Sequence, residues 1–251
     1  MTDEVRFLPS YVGSKRHWLP TLQTLKGRPF AELFAGSAIL SANLATKALL
    51  VDLDPVVARI LSRFDEQEVP ESFTRADYYR LRSEPDWWRH AYALQSLSYS
   101  GVFRYSKNGY NVPAKGGPDP EKNAKNEFHV RPAYERALTR WQELAPDVRC
   151  ESYLDVTDAD IAALGENVIV VLDPPYEGSQ AAYNGNGFDY DAYWARVREL
   201  TAKFDVLLFD RESNIEKHGY EVHATRRMRV NGARPGDSEA LSVIPKGTIG
   251  R

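Results

Sequence analysis

A single cysteine, Cys150, stands among 251 residues, so the chain can form no internal disulfide and no cysteine-rich metal centre. That usage fits a reducing compartment, and Cys150 reads as a small buried hydrophobe at a strand start. Long hydrophobic runs are missing too. No stretch approaches the roughly eighteen uninterrupted apolar residues that a membrane-spanning helix needs, and MTDEVRFLPSYVG lacks the basic-then-apolar order of a secretory signal. Both absences predict a cytoplasmic protein. An excess of basic charge is absent as well: 32 Lys and Arg against 35 Asp and Glu leave a net charge of −3, which by itself speaks against a nucleic-acid partner. The distribution is uneven, however. Lys107, Lys115, Lys122 and Lys125 form one basic group and Arg226, Arg227 and Arg229 another, while acids gather between Asp54 and Glu71. A local basic face is compatible with an acidic chain.

What is present is a chain that is 43% hydrophobic, enough for one domain, or one domain with a compact insertion, to bury a core. Apolar runs at 29–35, 48–54, 148–153, 168–176 and 205–210 predict buried strands. Helical patterns cover 38–47, 55–65, 76–83, 86–98, 132–144, 158–164 and 190–203, several with an Asp or Pro start signal. This alternation predicts an α/β fold around a mostly parallel sheet covered on both faces. Near the end, YEVHATRRMRV and SEALSVI, joined by VNGARPGD, predict an antiparallel edge hairpin.

Nearly a hundred residues separate the second predicted strand from the third, too many for one crossover. The interval begins helical and then runs through SYSGVFRYSKNGYNVPAKGGPDPEKNAKNEF. There Asn108-Gly109 favours positive φ at both central positions of a two-residue turn. Residues 67–145 are therefore predicted to be an inserted, mostly helical subdomain with a basic, aromatic hairpin near 102–114, and residues 1–66 and 146–251 to form the main domain.

Ligands of open α/β sheets bind outside the carboxyl ends of strands, and three such ends are specialised here. After 29–33 comes Phe34-Ala35-Gly36-Ser37-Ala38, small residues that let a backbone approach a ligand or simply make a tight strand-to-helix turn. After 48–51 comes Asp52-Leu53-Asp54; Asp54 suits a cap for a helix starting at Pro55, and Asp52 suits an acceptor for ribose hydroxyls. After 168–172 comes Asp173-Pro174-Pro175-Tyr176. Two consecutive prolines remove two backbone donors and set φ twice. An amine held at this rigid loop can donate to the Asp173 carboxylate and the Pro174 carbonyl while the Tyr176 ring stacks on the attached base; the purely structural alternative is a turn.

These residues together resemble the Dam-like family, the D12 class, of DNA N6-adenine methyltransferases, over almost the whole chain. Tyr11-Val12-Gly13-Ser14-Lys15, followed by a helix to Pro20, is similar to the family's aromatic-x-Gly-x-Lys segment, whose aromatic and lysine contact the cofactor. ELFAGSA resembles the cofactor loop, Asp52 falls on the ribose acid, and DPPY resembles the catalytic loop. Cys150-Glu151-Ser152-Tyr153 is also familial, with Tyr153 placed to flank the cofactor adenine. Residues 100–105 (SGVFRY) continuing into 109–113 (GYNVP) resemble the DNA-reading hairpin. Two departures stand out: Gly36-Ser37-Ala38 where relatives usually carry a second glycine, and DVLLFDRESN where relatives often show a Ser-Asn pair.

The resemblance implies a Rossmann-like S-adenosylmethionine-dependent methyltransferase sheet with an inserted DNA-recognition subdomain, in a bacterial or phage-infected host cytoplasm. Its implied cofactor is S-adenosyl-L-methionine and its implied partner double-stranded DNA, with no metal, membrane or obligate protein partner. Asp173, Pro174, Pro175 and Tyr176 become the catalytic residues. Tyr11, Lys15, Glu32, Phe34, Gly36, Ser37, Asp52, Tyr153 and Asp173 become cofactor contacts. Tyr99, Arg104, Tyr105, Lys107, Asn111, Arg226 and Arg227 become DNA contacts, with Arg104 reading a guanine edge or holding a phosphate. Motif order adds weight. The cofactor segments precede the insertion and DPPY follows it, so the insertion leaves the sheet between the two halves of the site. Methyltransferases that apply the same loop to RNA or to a protein amide are the alternative, and the hairpin residues Arg104, Tyr105, Lys107 and Asn111 favour DNA. A decayed, non-enzymatic DNA-binding module is disfavoured by intact Lys15, Asp52 and DPPY.

Overall fold

The computed structural model describes residues 4–98, 128–176, 187–227, 238–248 and 250. Its strands are β1 (Phe30–Glu32), β2 (Ala48–Val51), β3 (Asp147–Arg149), β4 (Ile169–Leu172), β5 (Asp205–Arg211), β6 (Ala224–Arg227) and β7 (Ser238–Ile244). They make a seven-stranded sheet in the order β3-β2-β1-β4-β5-β7-β6. The fold is thus mixed α/β and Rossmann-like, with the strand order reversing between β1 and β4, where such sheets bind ligands. β4 lies parallel to β1, with Phe30 opposite Ile169, and parallel to β5, with Leu172 opposite Leu208. Every residue of β1, β2 and β4 is buried. Because successive side chains of a strand point to opposite faces, both faces of the sheet are covered there. β7 runs antiparallel to β5 and β6 antiparallel to β7, the edge hairpin that the sequence predicts; its connecting turn lies outside the described residues. Along β6, exposure alternates residue by residue.

Two compact units divide the chain: Met1–Gly27, Gly36–Ala48 and Asp54–Cys150 form the first, and Arg28–Ala35, Leu49–Leu53 and Glu151–Arg251 the second. In the second, the core is built from branched aliphatic and aromatic side chains such as Val51, Val170, Leu172, Tyr193, Val197 and Leu208. Helix α6 (Asp158–Ala162) starts on a capping box between Thr157 and Asp160, and α7 (Tyr190–Lys203) starts on Asp189, whose carboxylate accepts from Ala192 N–H at 3.0 Å. A short α8 (Glu212–Lys217), which the sequence pattern does not announce, packs on β5 and β7 through the fully buried Ile215.

The first unit holds α1 (Ile39–Leu44), α2 (Pro55–Ser62), α3 (Arg75–Leu81), α4 (Ala91–Leu97) and α5 (Arg131–Leu144). Asp54 caps α2 by accepting from Val56 N–H at 2.9 Å, with Pro55 in the first turn. Its interior is aromatic. Phe7, Phe64 and Trp141 pack with centroids 5.1–5.4 Å apart. Beside them, Tyr134 directs its hydroxyl to the carbonyls of Phe64 and Gln67, both at 3.1 Å. Burial, with the Asp65 charge, pushes that phenol up to about 12. Phe73 and Phe128 exchange both backbone hydrogen bonds, drawing together the two ends of the segment between them.

Several predicted helices are shorter than their sequence patterns, for identifiable reasons. α1 stops at Leu44 because Ala45 is extended and Arg140 takes up the carbonyls of Ser41, Ala42 and Ala45. The pattern at 86–98 divides into a 3₁₀ turn at Trp87–His90 and α4. There the Arg89 carbonyl accepts from Glu68 N–H and Tyr92 N–H donates to Gln67 Oε1, so neither group serves a continuous helix. Cys150 is a correction to the sequence reading: it is exposed, because β3 ends at Arg149 and is itself poorly covered.

At the amino end of β5, Arg28 donates to Asp205 Oδ2 at 2.5 Å and to Asn167 O at 2.8 Å, while Lys246 N–H donates to Asp205 Oδ1. Burial raises the Asp205 carboxyl, but the Arg28 hydrogen bond, the Lys246 amide and their charges outweigh it and hold it below its ordinary range. A folded value below the unfolded one means stabilisation that is present above about pH 4 and lost as pH falls through the folded value. Asp205→Asn should therefore cost roughly 0.2–1 kcal/mol at pH 7 and nothing measurable near pH 2. Urea melts at the two pH values check this; equal losses would contradict it.

Candidate active site at the carboxyl ends of the strands

The first unit carries Tyr11, Lys15 and the loop from Gly36 to Ala38. Gly13, at φ 85°, turns the chain so that Ser14 N–H reaches Tyr11 O at 3.2 Å. Lys15 follows in a 3₁₀ turn rather than a full helix; it is buried, and its Nζ donates to Gly13 O at 2.8 Å. Ser37 Oγ donates to Ser14 Oγ at 3.2 Å, joining the two segments. Gly36 lies at φ 47°, and a Cβ there would stand 2.9 Å from Tyr11 Cε1, so its lack of a side chain lets the ring lie against the backbone. Ala38 adopts the left-handed conformation, φ 49° and ψ 31°. An L-residue there ordinarily costs about 1–2 kcal/mol, and burial of its methyl offsets roughly 0.8 of that.

In the second unit, β1 hands its chain on through Leu33 N–H to Val171 O (3.1 Å) and Ala35 N–H to Val51 O (2.8 Å). Glu32 is buried just before this exit. The Phe34 ring, half-buried, lies 5.0 Å from Tyr153 and 6.0 Å from both Phe188 and Tyr193, and Tyr153 stacks on Phe188 at 5.8 Å. Burial, with the Asp189 charge, pushes the Tyr153 phenol up to about 12, so it stays neutral at physiological pH. Asp52 follows β2 directly and is half-buried. Its neighbour Leu53 is 64% exposed, and Leu154, next to Tyr153, is 50% exposed. Large aliphatic groups thus stand in water beside two of the candidate contacts.

β4 leads straight into half-buried Asp173, buried Pro174 and half-buried Pro175 and Tyr176. The Tyr176 hydroxyl donates to Glu239 Oε1 of β7 at 2.5 Å, and the Tyr190 hydroxyl donates to Tyr176 O at 3.1 Å. Burial, then the charges of Asp173, Glu239 and Asp210, hold the Tyr176 phenol well above its ordinary value. Burial and the charges of Asp210 and Asp173 do the same to Tyr193, which is completely enclosed. Asp173 and Asp210 therefore act on both phenols, and Glu239 on Tyr176. The charges at the ends of β4 and β5 oppose phenolate. The DVLLFDRESN segment supplies Asp210, fully buried, whose Oδ1 accepts from Arg211 N–H at 2.6 Å and Asn214 Nδ2 at 2.8 Å.

Phe188, Tyr190, Tyr193, Asp210 and Glu239 belong to this cluster although the sequence motifs did not single them out. Tyr190 and Tyr193 follow the Asp189 cap at helical spacing, a signal that marks a helix start but not what it faces. Arg226, half-buried, and Arg227, exposed, lie on β6, with Arg226 opposite Glu239. Tyr99, Arg104, Tyr105, Lys107 and Asn111 lie outside the described residues. Among the described residues no group of three or more His, Cys, Asp or Glu is arranged to hold a metal ion, and no helix is long and apolar enough to cross a membrane.

The profile of the D12 class N6 adenine-specific DNA methyltransferases matches residues 11–206. The chain is also similar to the Retron Ec67 DNA adenine methylase of Escherichia coli, 26% identical over 248 residues that span 87% of this chain and 82% of that protein. Among solved structures it is similar to the putative methyltransferase yhhF from Escherichia coli, with a TM-score of 0.38, 10% identity, and 92% and 81% of the two chains covered. Another similar structure is the rRNA methyltransferase aviRa from Streptomyces viridochromogenes, with a TM-score of 0.42, 12% identity, and 91% and 81% covered. The matched residues take in the aromatic-x-Gly-x-Lys segment, the glycine loop, Asp52 and the whole DPPY tetrapeptide, across most of the length of the chain. The chain therefore belongs to the D12 class of N6 adenine-specific DNA methyltransferases.

Proposed function

We propose that this chain transfers a methyl group from S-adenosyl-L-methionine to N6 of an adenine rotated out of double-stranded DNA, at sites of defined sequence. The observation that carries this reading is the rigid Asp173-Pro174-Pro175-Tyr176 loop leaving the buried strand β4, with its tyrosine hydroxyl held by Glu239. An amine stacked within a duplex cannot reach an enclosed site, so the base must leave the stack. The Asp173 carboxylate and the Pro174 carbonyl accept its two protons, and the Tyr176 ring supports the base. Drawing both protons to one side loosens the lone pair from the ring and aims it at the methyl group. Asp173 acts as acceptor and orienter, and the product proton leaves to water.

The donor set fits the methyl donor chemically. When bound, S-adenosyl-L-methionine supplies an electrophilic methyl on a sulfonium. Asp52 accepts from ribose hydroxyls, the Lys15 ammonium matches the methionine carboxylate, and Phe34 and Tyr153 offer rings to the adenine. Tyr11, Glu32, Gly36 and Ser37 complete the proposed contacts. Residues 67–145 are proposed as the target-recognition insertion, with Tyr99, Arg104, Tyr105, Lys107 and Asn111 at the DNA together with Arg226 and Arg227.

Incubation with tritiated S-adenosyl-L-methionine and separate pools of duplex DNA, RNA and peptide, followed by nucleoside mass spectrometry, tests the reading. Label should appear in DNA as N6-methyladenine; label in RNA or peptide instead would overturn it. Asp173→Ala should abolish transfer while the fold and much of the DNA affinity persist, and residual activity within about tenfold of wild type, only about 1.4 kcal/mol of barrier, would remove Asp173 from its role. By calorimetry, Asp52→Ala should weaken cofactor binding by roughly 1.5–3 kcal/mol, the scale of hydrogen bonds to a charged group; unchanged affinity in a folded variant would exclude it. Gly36→Ala should cost about 1–2 kcal/mol of stability through its positive φ and also weaken the cofactor by displacing the Tyr11 ring. A variant with wild-type affinity would separate Tyr11 from the cofactor.

A further inference from the structure

Glu239 comes from β7, in the antiparallel edge hairpin, far along the chain from every proposed cofactor residue. It stands opposite Arg211 of β5 and opposite Arg226 of β6. Directly paired residues of antiparallel strands share a sheet face, so these three side chains form one cross-strand row, Arg211, Glu239, Arg226. From the middle of that row the carboxylate accepts the Tyr176 hydroxyl at 2.5 Å, the length typical of O–H donation to an ionised oxygen. The main chain of Tyr176 is held separately, by the Tyr190 hydroxyl on its carbonyl. Two prolines fix the chain before it. The bond to Glu239 restrains the side chain itself, at the far end of its ring.

We propose that Glu239 is a positioning residue for methyl transfer: by holding the Tyr176 hydroxyl it fixes the direction of the long axis of the ring, and so where the ring on which the target adenine stacks lies. This rests on the reading of Tyr176 as the support of the base. The alternative is that Glu239 only fastens the edge hairpin, and the two differ in what a conservative replacement restores and in how two substitutions combine. Glu239→Gln keeps an acceptor oxygen at the same reach, Glu239→Ala removes it, and Tyr176→Phe removes the same bond from the other side without emptying the strand.

The test uses the whole protein carrying 3-fluorotyrosine at position 176, read by fluorine NMR, alongside single-turnover methylation of duplex DNA by the unlabelled variants. Glu239→Ala should shift the fluorine resonance and Glu239→Gln should return it close to its original position. The single-turnover rate should fall by at least about tenfold in Glu239→Ala and recover mostly in Glu239→Gln. Tyr176→Phe should match Glu239→Ala, and the double variant should be no slower than Tyr176→Phe alone, since residues acting through one bond do not add. An unmoved resonance in Glu239→Ala, equal losses in the Ala and Gln variants, or additive losses in the double variant would each overturn the proposal. Should the wild-type protein leave DNA unmethylated, the functional reading fails by itself, and the resonance still decides whether Glu239 holds the ring.

Discussion

The register of β4 between β1 and β5 is the constraint on which the Asp173-Pro174-Pro175-Tyr176 loop depends. With Phe30 opposite Ile169 and Leu172 opposite Leu208, the carboxyl ends of three parallel strands stand level, and each end releases a segment with its own chemistry. The alternation of side chains along a strand has a period of two, so a slip of one residue would exchange the two faces of β4. Its four residues are all buried apolar groups, which makes the strand indifferent to which face each occupies. The partners decide instead. Leu172 stands opposite Leu208, so Asp173 leaves β4 near the end of β5 that carries Asp210, and β5 is itself held in register by β7.

A cost accompanies this placement. Asp210 is fully buried, and charges of this kind are tolerated only where hydrogen bonds replace water; the Arg211 amide and the Asn214 side chain provide two. Around it the phenols of Tyr176 and Tyr193 are held neutral by burial and by the same acids. Neither is placed to act as a base in that neutral state. The Tyr176 hydroxyl gives its proton to Glu239.

The first unit solves a different problem. Its helices are short, and helices of seven or eight residues are marginal in isolation, so tertiary contacts stabilise them. Tyr134 does this with one hydroxyl on two carbonyls, and Arg140 with a guanidinium on the open carbonyl end of α1. Phe73 and Phe128 pair with each other across the sequence interval between them. The glycine loop carries a comparable compromise at Ala38, where the left-handed turn persists without the residue that adopts it freely.

The strands, their order of appearance and the edge hairpin were legible in the sequence because each is encoded locally, by apolar runs, caps and turn residues. Asp54 as the cap could be told from Asp52 by the same local chemistry, since a cap must sit directly before its helix. The DPPY tetrapeptide was legible as well, two prolines and an acid at a strand end having few other uses. Helix ends were less so: α1 stops where Arg140, nearly a hundred residues away, takes its carbonyls, and the 86–98 pattern breaks where Gln67 and Glu68 intercept its backbone. Cys150 was misread because burial depends on whether a strand has a covered edge, which no local pattern records. Glu239 as the partner of Tyr176, and Asp210 beside Asp173, were decided only by tertiary structure. Both depend on strand register across β5 and β7, and register is set by side chains that meet after the sheet has formed.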